Sequence, residues 1–373
     1  MQTRHDESQP QAAAPGVPTR ADAIDDALDR LSGYDYTDGI GLATHGPMGA
    51  EALSTLGHDD LVASWVEAYK ARHEPIAAPP PATRLDPGDE RSWRAALGEE
   101  RRLSDWADLF TRQLAEAPWR DVLATWVPRL LPGYAGAFTH GLIRTAHAVR
   151  ALSLTSSASE PSPLVTAELA RALAYWAGSY KALPGRPTLA GGLPLGEAVA
   201  RLPRPAAPWS PIEAGQFTRI HELPDFPGAV EALAPPVSVA EALSDLTTTI
   251  ARLLLANPDV FPIGLVHAIT PIAGARTLLA QVPTVVPEQL YVQLWHVDAA
   301  IIAGFVPRET SQGGRGVDDG DPPSQSELVA RAVEHRDPHV VKFTEACIRE
   351  NALRPDPAYL LAARHVLDRT AAW

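Results

Sequence analysis

Residues 138–152 carry His140, Arg144 and His147 at spacings of four and three, with Ala151 continuing the row. On a helix of 3.6 residues per turn these side chains share one narrow face. Leu142, Ile143, Ala146, Val149 and Leu152 cover much of the remaining circumference. A helix so apolar is expected to be buried, with its polar stripe facing an interior space. Two imidazoles and a guanidinium in such a place need a metal, an anion, a substrate or one another. Arg144 could hold an anion, or pair with a buried carboxylate such as Glu51.

A second stretch with chemical content is Asp337-Pro338-His339-Val340-Val341-Lys342-Phe343. Asp337 suits a helix N-cap and Pro338 the first helical position. His339 and Lys342 then lie three apart on one face. An interior Lys342 would have its ammonium pKa lowered by desolvation. A neutral amine there is a base, a nucleophile, or the acceptor of carbon dioxide that becomes an anionic carbamate. The alternative is a lysine whose stem packs inside and whose head reaches water.

The elements that must position these groups are helices. Apolar periodicity and Pro/Gly punctuation predict helices over 22–31, 48–56, 61–69, 92–97, 103–114, 121–131, 138–152 and 164–180. Further helices are expected over 237–257, 261–281 (interrupted at Pro271), 287–305, 326–334, 338–353 and 357–369. Residues 183–213 are rich in Pro and Gly and read as irregular, and 217–221 as a short strand. Residues 1–20 read as a disordered tail and 309–325 as a mobile loop. The expectation is an all-α fold: one large helical domain over 21–373, with irregular connections enclosing a buried active-site cavity. His140 with its following residues faintly echoes His267 with its own, matching at Ala146/Ala273, Ala148/Ala275 and Leu152/Leu279.

Composition narrows the function. A formal charge of -13 argues against a nucleic-acid partner. The single cysteine, Cys347, excludes an intramolecular disulfide and suits a reducing compartment. Residues 1–16 lack the apolar core of a signal peptide, and no uninterrupted apolar run spans a bilayer, so a cytoplasmic location without membrane contact is expected. No HExxH, CxxC, GxSxG, P-loop or GxGxxG signature is present. Of twelve histidines, His5, His58, His73, His221 and His365 sit in polar surroundings and read as surface residues.

Four blocks occur in order: Thr44-His45-Gly46-Pro47-Met48-Gly49-Ala50-Glu51-Ala52-Leu53, Thr139-His140-Gly141-Leu142-Ile143-Arg144, His267-Ala268-Ile269-Thr270, and Asp337-Pro338-His339-Val340-Val341-Lys342. Together they resemble the questin-oxidase-like family, fungal and bacterial oxygenases of aromatic polyketide metabolism. The resemblance implies a helical fold and a non-haem iron, Fe(II), held by four histidines and a carbamylated lysine. Carried over block by block, it makes His45, His140, His267 and His339 metal ligands and Lys342 the carbamate. It implies dioxygen as co-substrate and a polycyclic, anthraquinone-like polyketide as substrate, opened by carbon–carbon cleavage or a Baeyer–Villiger-like insertion. Arginine stands at 144 where many fungal relatives carry another histidine, so pocket shape and substrate can differ.

Beside the ligands, Arg144, His147 and His296 are catalytic candidates, and Tyr291 with Trp295, one turn apart, a flat wall for a fused-ring substrate. Asp298 and Glu345 could orient histidine N–H groups. His335 lies outside the pattern. Two other functions compete: a metal-independent Baeyer–Villiger monooxygenase using NAD(P)H, and a helical protein that binds a hydrophobic metabolite without turning it over.

Overall fold

The computed structural model describes residues 18–37, 43–154, 161–207, 209–307 and 320–373. Seventeen α-helices account for most of them. The N-terminal half holds α1 (Arg20–Arg30), α2 (Gly46–Thr55), α3 (Val62–Lys70), α4 (Glu90–Ala96), α5 (Leu103–Glu116), α6 (Trp119–Leu130), α7 (His140–Leu152) and α8 (Pro163–Gly178). After α9 (Leu195–Arg201), α10 (Pro211–Gly215) and α11 (Phe226–Glu231) come the long helices α12 (Val239–Ala256), α13 (Pro262–Gln281) and α14 (Pro287–Phe305). The chain closes with α15 (Gln325–His335), α16 (Pro338–Leu353) and α17 (Pro357–Arg369). No strand occurs among the described residues, only three isolated bridges. The fold is all-α, as the periodicity implies.

Differences from the sequence reading have local causes. Residues 217–221 form no strand: Phe217 has a left-handed backbone (φ 52°) and Ile220–Glu222 is a turn of 3-10 helix. Pro271 does not interrupt α13, which continues through it. Its neighbours on α7, α14 and α16 supply the packing that holds a proline-bearing helix together. Thr19 caps α1 with a reciprocal Thr19/Asp22 pair, so helix begins inside the expected tail. The rest of that tail up to residue 17, and 308–319 of the expected mobile loop, lie outside the described residues. Helix α13 is long and apolar enough to cross a membrane by length and composition, although His267, Thr270 and Arg276 interrupt its apolar run, and 72% of its apolar window is buried inside the protein.

One large apolar core runs from α4–α6 through α7 and α8 to α12–α14 and α17. A smaller one joins α1, α2 and α3 to Val341 of α16. Helices α2, α7, α13 and α16 meet where the two cores adjoin, α2 packing on α7 and α16, and α13 on the same two. The approach of α7 to α8 is close enough to demand glycine at 141. A Cβ there would stand 2.6 Å from the Trp176 Cα. Gly141→Ala is therefore expected to cost about 1–3 kcal/mol through overpacking. Urea unfolding measures it, and an unchanged midpoint would mean that α7 and α8 are not so tightly opposed.

Candidate metal centre

His45, His140, His267 and His339 come from four separate helices and meet at one point. The Nε2 atoms of His45 and His140 are 3.0 Å apart, those of His45 and His339 3.1 Å, and those of His140 and His267 3.2 Å. Three of these helices aim their N-terminal ends at the site. His45 is the N-cap of α2, His140 opens α7, and His339 lies in the first turn of α16. There Asp337 caps the helix, its carboxylate accepting the His339 and Val340 N–H groups at 2.8 and 3.3 Å. The His45 N–H donates to the Tyr69 hydroxyl at 3.0 Å.

The far side of each ring fixes what the near side is. His140 Nδ1–H donates to the Ala137 carbonyl (2.6 Å) and His267 Nδ1–H to the Ile263 carbonyl (2.8 Å). A carbonyl can only accept, so both Nε2 atoms carry lone pairs. They face each other with no proton to share. His339 Nδ1 lies 3.4 Å from the Asp337 carboxylate, which favours the same tautomer. Lone pairs gathered this way repel unless a cation sits among them. Two donors ~2.1 Å from one ion lie ~3.0 Å apart at right angles and ~3.4 Å apart at tetrahedral angles. These three spacings fall in that interval, and His45, His140 and His339 together fit one first-row transition ion, with His267 joined to them through His140.

The backbone is strained to achieve this. Ala137, Phe138 and Thr139 have φ of 46°, 52° and 68°, three consecutive left-handed residues without a glycine. Each costs roughly 1–2 kcal/mol. What they gain is the Ala137 carbonyl beneath His140 and the Phe138 ring stacked on His267, centroids 4.3 Å apart. Phe305 stacks on the other face of this group at 5.7 Å from Phe138.

Lys342 lies one turn beyond His339 and is buried, its Nζ directed at the Met48 thioether 4.0 Å away. Among the described residues no carboxylate pairs with it. Burial lowers its pKa to about 7. Burial and, after it, the Lys342 charge push His45 and His140 well below the ordinary imidazole range. His267 is pushed down by burial and then by His140, His339 and Lys342.

His147 stands outside the four. Its Nδ1–H donates to Glu51 at 2.6 Å. Arg150 grips the same carboxylate at 2.7 and 2.5 Å and reaches Glu345 at 2.6 Å. Burial alone would raise the Glu51 carboxyl, but Arg150 and His147 outweigh it and hold it far below the carboxylate range. Glu345 thus orients an arginine, not a histidine.

Other expected site residues lie elsewhere. Arg144 is fully engaged, with Nε and Nη2 on Glu168 at 2.6 and 2.8 Å and Nη1 on the Asp35 carbonyl at 2.8 Å. Its partner is Glu168, not Glu51, so its charge is already matched by a buried carboxylate. His296 is bonded through Nε2 to the Pro184 carbonyl (3.1 Å) and stacked on Phe226, away from the four rings. Tyr291 and Trp295 are core residues, Trp295 donating to the Val230 carbonyl at 2.9 Å. Asp298 orients no histidine. Both its oxygens are buried without a partner, and burial pushes its carboxyl well up, into the neutral form. His365, expected at the surface, is buried, and His335 bonds the Thr370 carbonyl at 2.9 Å. Sequence reasoning missed Glu168, Phe138 and the left-handed turn, none of which has a local signal.

The fold and site define an all-α protein with a buried histidine cluster whose spacing would suit a metal ion. The family model described as Questin oxidase-like matches residues 58–183, which supports assigning the chain to the questin-oxidase-like family. That segment holds His140, Arg144, His147 and Glu168, while His45, His267, His339 and Lys342 lie outside it. No curated protein matches the chain.

The buried imidazoles make stability depend on pH. His45, His140, His147, His267 and His296 all have lowered pKa values, His296 about 4. An unfolded chain takes up protons near 6.5 where the folded one does not, so it binds more of them below that pH. The stability is complete above pH 6.5 and falls as pH drops from there towards 4. Melting temperatures of metal-free protein between pH 7 and 5 should decline steadily. A flat profile would show that these rings are solvated.

Proposed function

We propose that the chain is a non-haem iron oxygenase that opens a ring of a polycyclic aromatic polyketide, anthraquinone-like, in cytoplasmic secondary metabolism. The observation that carries this reading is the meeting of four imidazole Nε2 atoms beside a buried amine. The family match supports an oxidoreductase acting on a small polyketide.

His45, His140, His267 and His339 would hold the iron, with Lys342 as a carbamate supplying an anionic oxygen donor. Imidazole and oxygen donors suit Fe(II). When bound, iron supplies the one-electron steps that let dioxygen react with a closed-shell phenol. The protein's own part is positional and electrostatic. Carbonyls of Ala137 and Ile263 hold two rings in the ligating tautomer. Burial keeps the imidazoles neutral and limits water at the site. Glu51 holds His147 so that its Nε2 is a proton acceptor beside the small void that Lys342 also lines. The positive ends of α2, α7 and α16 favour an anionic partner, whether carbamate or substrate phenolate.

Protein reconstituted with ferrous iron should bind one ion per chain, measured by metal analysis and located by anomalous scattering at the iron edge. His140→Ala and His339→Ala should lose it while retaining native circular dichroism. With a hydroxylated anthraquinone the loaded enzyme should consume dioxygen and stop on chelation. Turnover that survives exhaustive chelation and needs NAD(P)H would replace this reading with the metal-independent one. Tight quinone binding with no dioxygen uptake by the iron-loaded protein would leave only a binding function.

A further inference from the structure

Three of the ligand-bearing helices run side by side away from the four imidazoles: α7 from His140, α13 from His267 and α16 from His339. Their facing residues repeat at helical spacing down a common seam. Below the imidazoles come Lys342 and Thr270, then His147, Gly274 and Ala346, then Arg150, Thr277 and Arg349. Ten residues of α16 separate His339 from Arg349, about 15 Å of helix.

Within the seam lies a void of about 10 Å³ whose wall includes Lys342, His147 and Thr270. That is about the space of one water molecule. Arg150, Thr277 and Arg349 line this void and also an outer groove of about 930 Å³. The same three side chains are therefore floor to one and roof to the other. What closes the gap between α13 and α16 is slight. Arg349 Nη1–H donates to the Thr277 hydroxyl at 3.1 Å, and Arg349 Nε lies 3.4 Å from Glu345 without a hydrogen bond. Between α7 and α13 the seam is narrow, because Gly274 lies where a Cβ would come within 2.9 Å of the Ala146 Cβ.

We propose that this seam is the route by which carbon dioxide reaches the Lys342 amine, with the Arg349–Thr277 contact as its outer gate. The inference rests on the carbamate reading above. At its other end the amine faces the metal ligands, so its carbon dioxide must come from the void. Carbon dioxide is uncharged and narrow, and passes where a hydrated ion does not. In the step it feeds, the neutral Lys342 nitrogen forms a bond to the carbon of carbon dioxide. One carbon–oxygen π pair moves onto oxygen, and the N–H proton passes to His147 Nε2. Amine, carbon dioxide and imidazole give carbamate and imidazolium, with no oxidant or reductant required. His147 then returns the proton to water in the void.

The test is label exchange in the full-length protein loaded with zinc, a diamagnetic occupant of the histidine site. The chain is equilibrated with ¹³C-bicarbonate, transferred to unlabelled bicarbonate, and its carbamate resonance followed by ¹³C NMR. Thr277→Trp fills the mouth from the groove side and should slow the exchange about tenfold, the effect of ~1.4 kcal/mol of added barrier. Its final label content should equal that of the wild type. Thr277→Val keeps the volume, removes the gate hydroxyl and should speed the exchange severalfold. Wild-type rates in a folded Thr277→Trp, or in Thr277→Val should the tryptophan variant not fold, would overturn the route while leaving the carbamate in place. A wild-type protein that takes up no label would overturn the carbamate reading and the route together.

Discussion

The lone pairs of His140 and His267, pointed at one another within a cluster of four imidazoles, are the constraint on which the rest of the structure depends. Each neutral imidazole is acceptable in an apolar interior, but the arrangement of the set is not. His140 and His267 have given their only N–H to backbone carbonyls, so neither can donate across the 3.2 Å between them. An ordinary core histidine pair avoids this by letting one ring turn or take the other tautomer. Here turning is prevented on both sides, and the protein accepts the left-handed turn at 137–139 to prevent it. Strain that fixes the orientation of two neighbouring imidazoles, one through a carbonyl and one through a stacked ring, belongs with function.

Around that centre the charged side chains are neutralised in pairs. Arg144 is bound to Glu168, and Arg150 is shared by Glu51 and Glu345. Each buried cation has a carboxylate, which avoids the several kcal/mol that an unpaired buried ion costs. Lys342 is the exception, buried with only a thioether within reach. The contrast separates structural charges from the chemical one. Arg144 and Arg150 are paired with carboxylates, and among the described residues the lysine beside the imidazoles is not.

How much of this was legible in the sequence depends on whether a residue's role is local. Helix existence was, because apolar period and proline punctuation are local, and α14, α16 and α17 have the bounds that the pattern gives. The Asp337–Pro338 start of α16 is equally local. The meeting of His45, His140, His267 and His339 is not, since no spacing relates residues up to 294 apart. It came from the order of four short blocks. The reading was incomplete where a polar side chain on an apolar helix was taken to answer only to a cavity: His147 does line a small void, but Glu51 also holds it. Arg144 and His147 share a stripe, yet one is bound by α8 and the other by α2. Stripe membership fixes direction within some tens of degrees, and two neighbouring helices fit inside that angle. Tyr291, Trp295 and His296 failed similarly: α14 is buried on nearly all sides, so any polar group on it finds a backbone partner.

The same geometry bears on which anion accompanies the metal. The N-terminal ends of α2, α7 and α16 converge at the site, each contributing a partial positive charge of about half a unit. They oppose a cation bound by neutral imidazoles alone. Four such ligands leave a divalent charge uncompensated in a low-dielectric interior, and the helix ends add to it. A carboxylate side chain would solve the problem, but the nearby ones are committed elsewhere, Glu51 and Glu345 to Arg150 and Asp337 to the cap of α16. On the carbamate proposal the residue that becomes negative is Lys342, by reacting with carbon dioxide. A lysine in place of an aspartate makes the anion conditional on carbon dioxide and on a neutral amine. Burial that would be a liability for a structural lysine is therefore what this position requires.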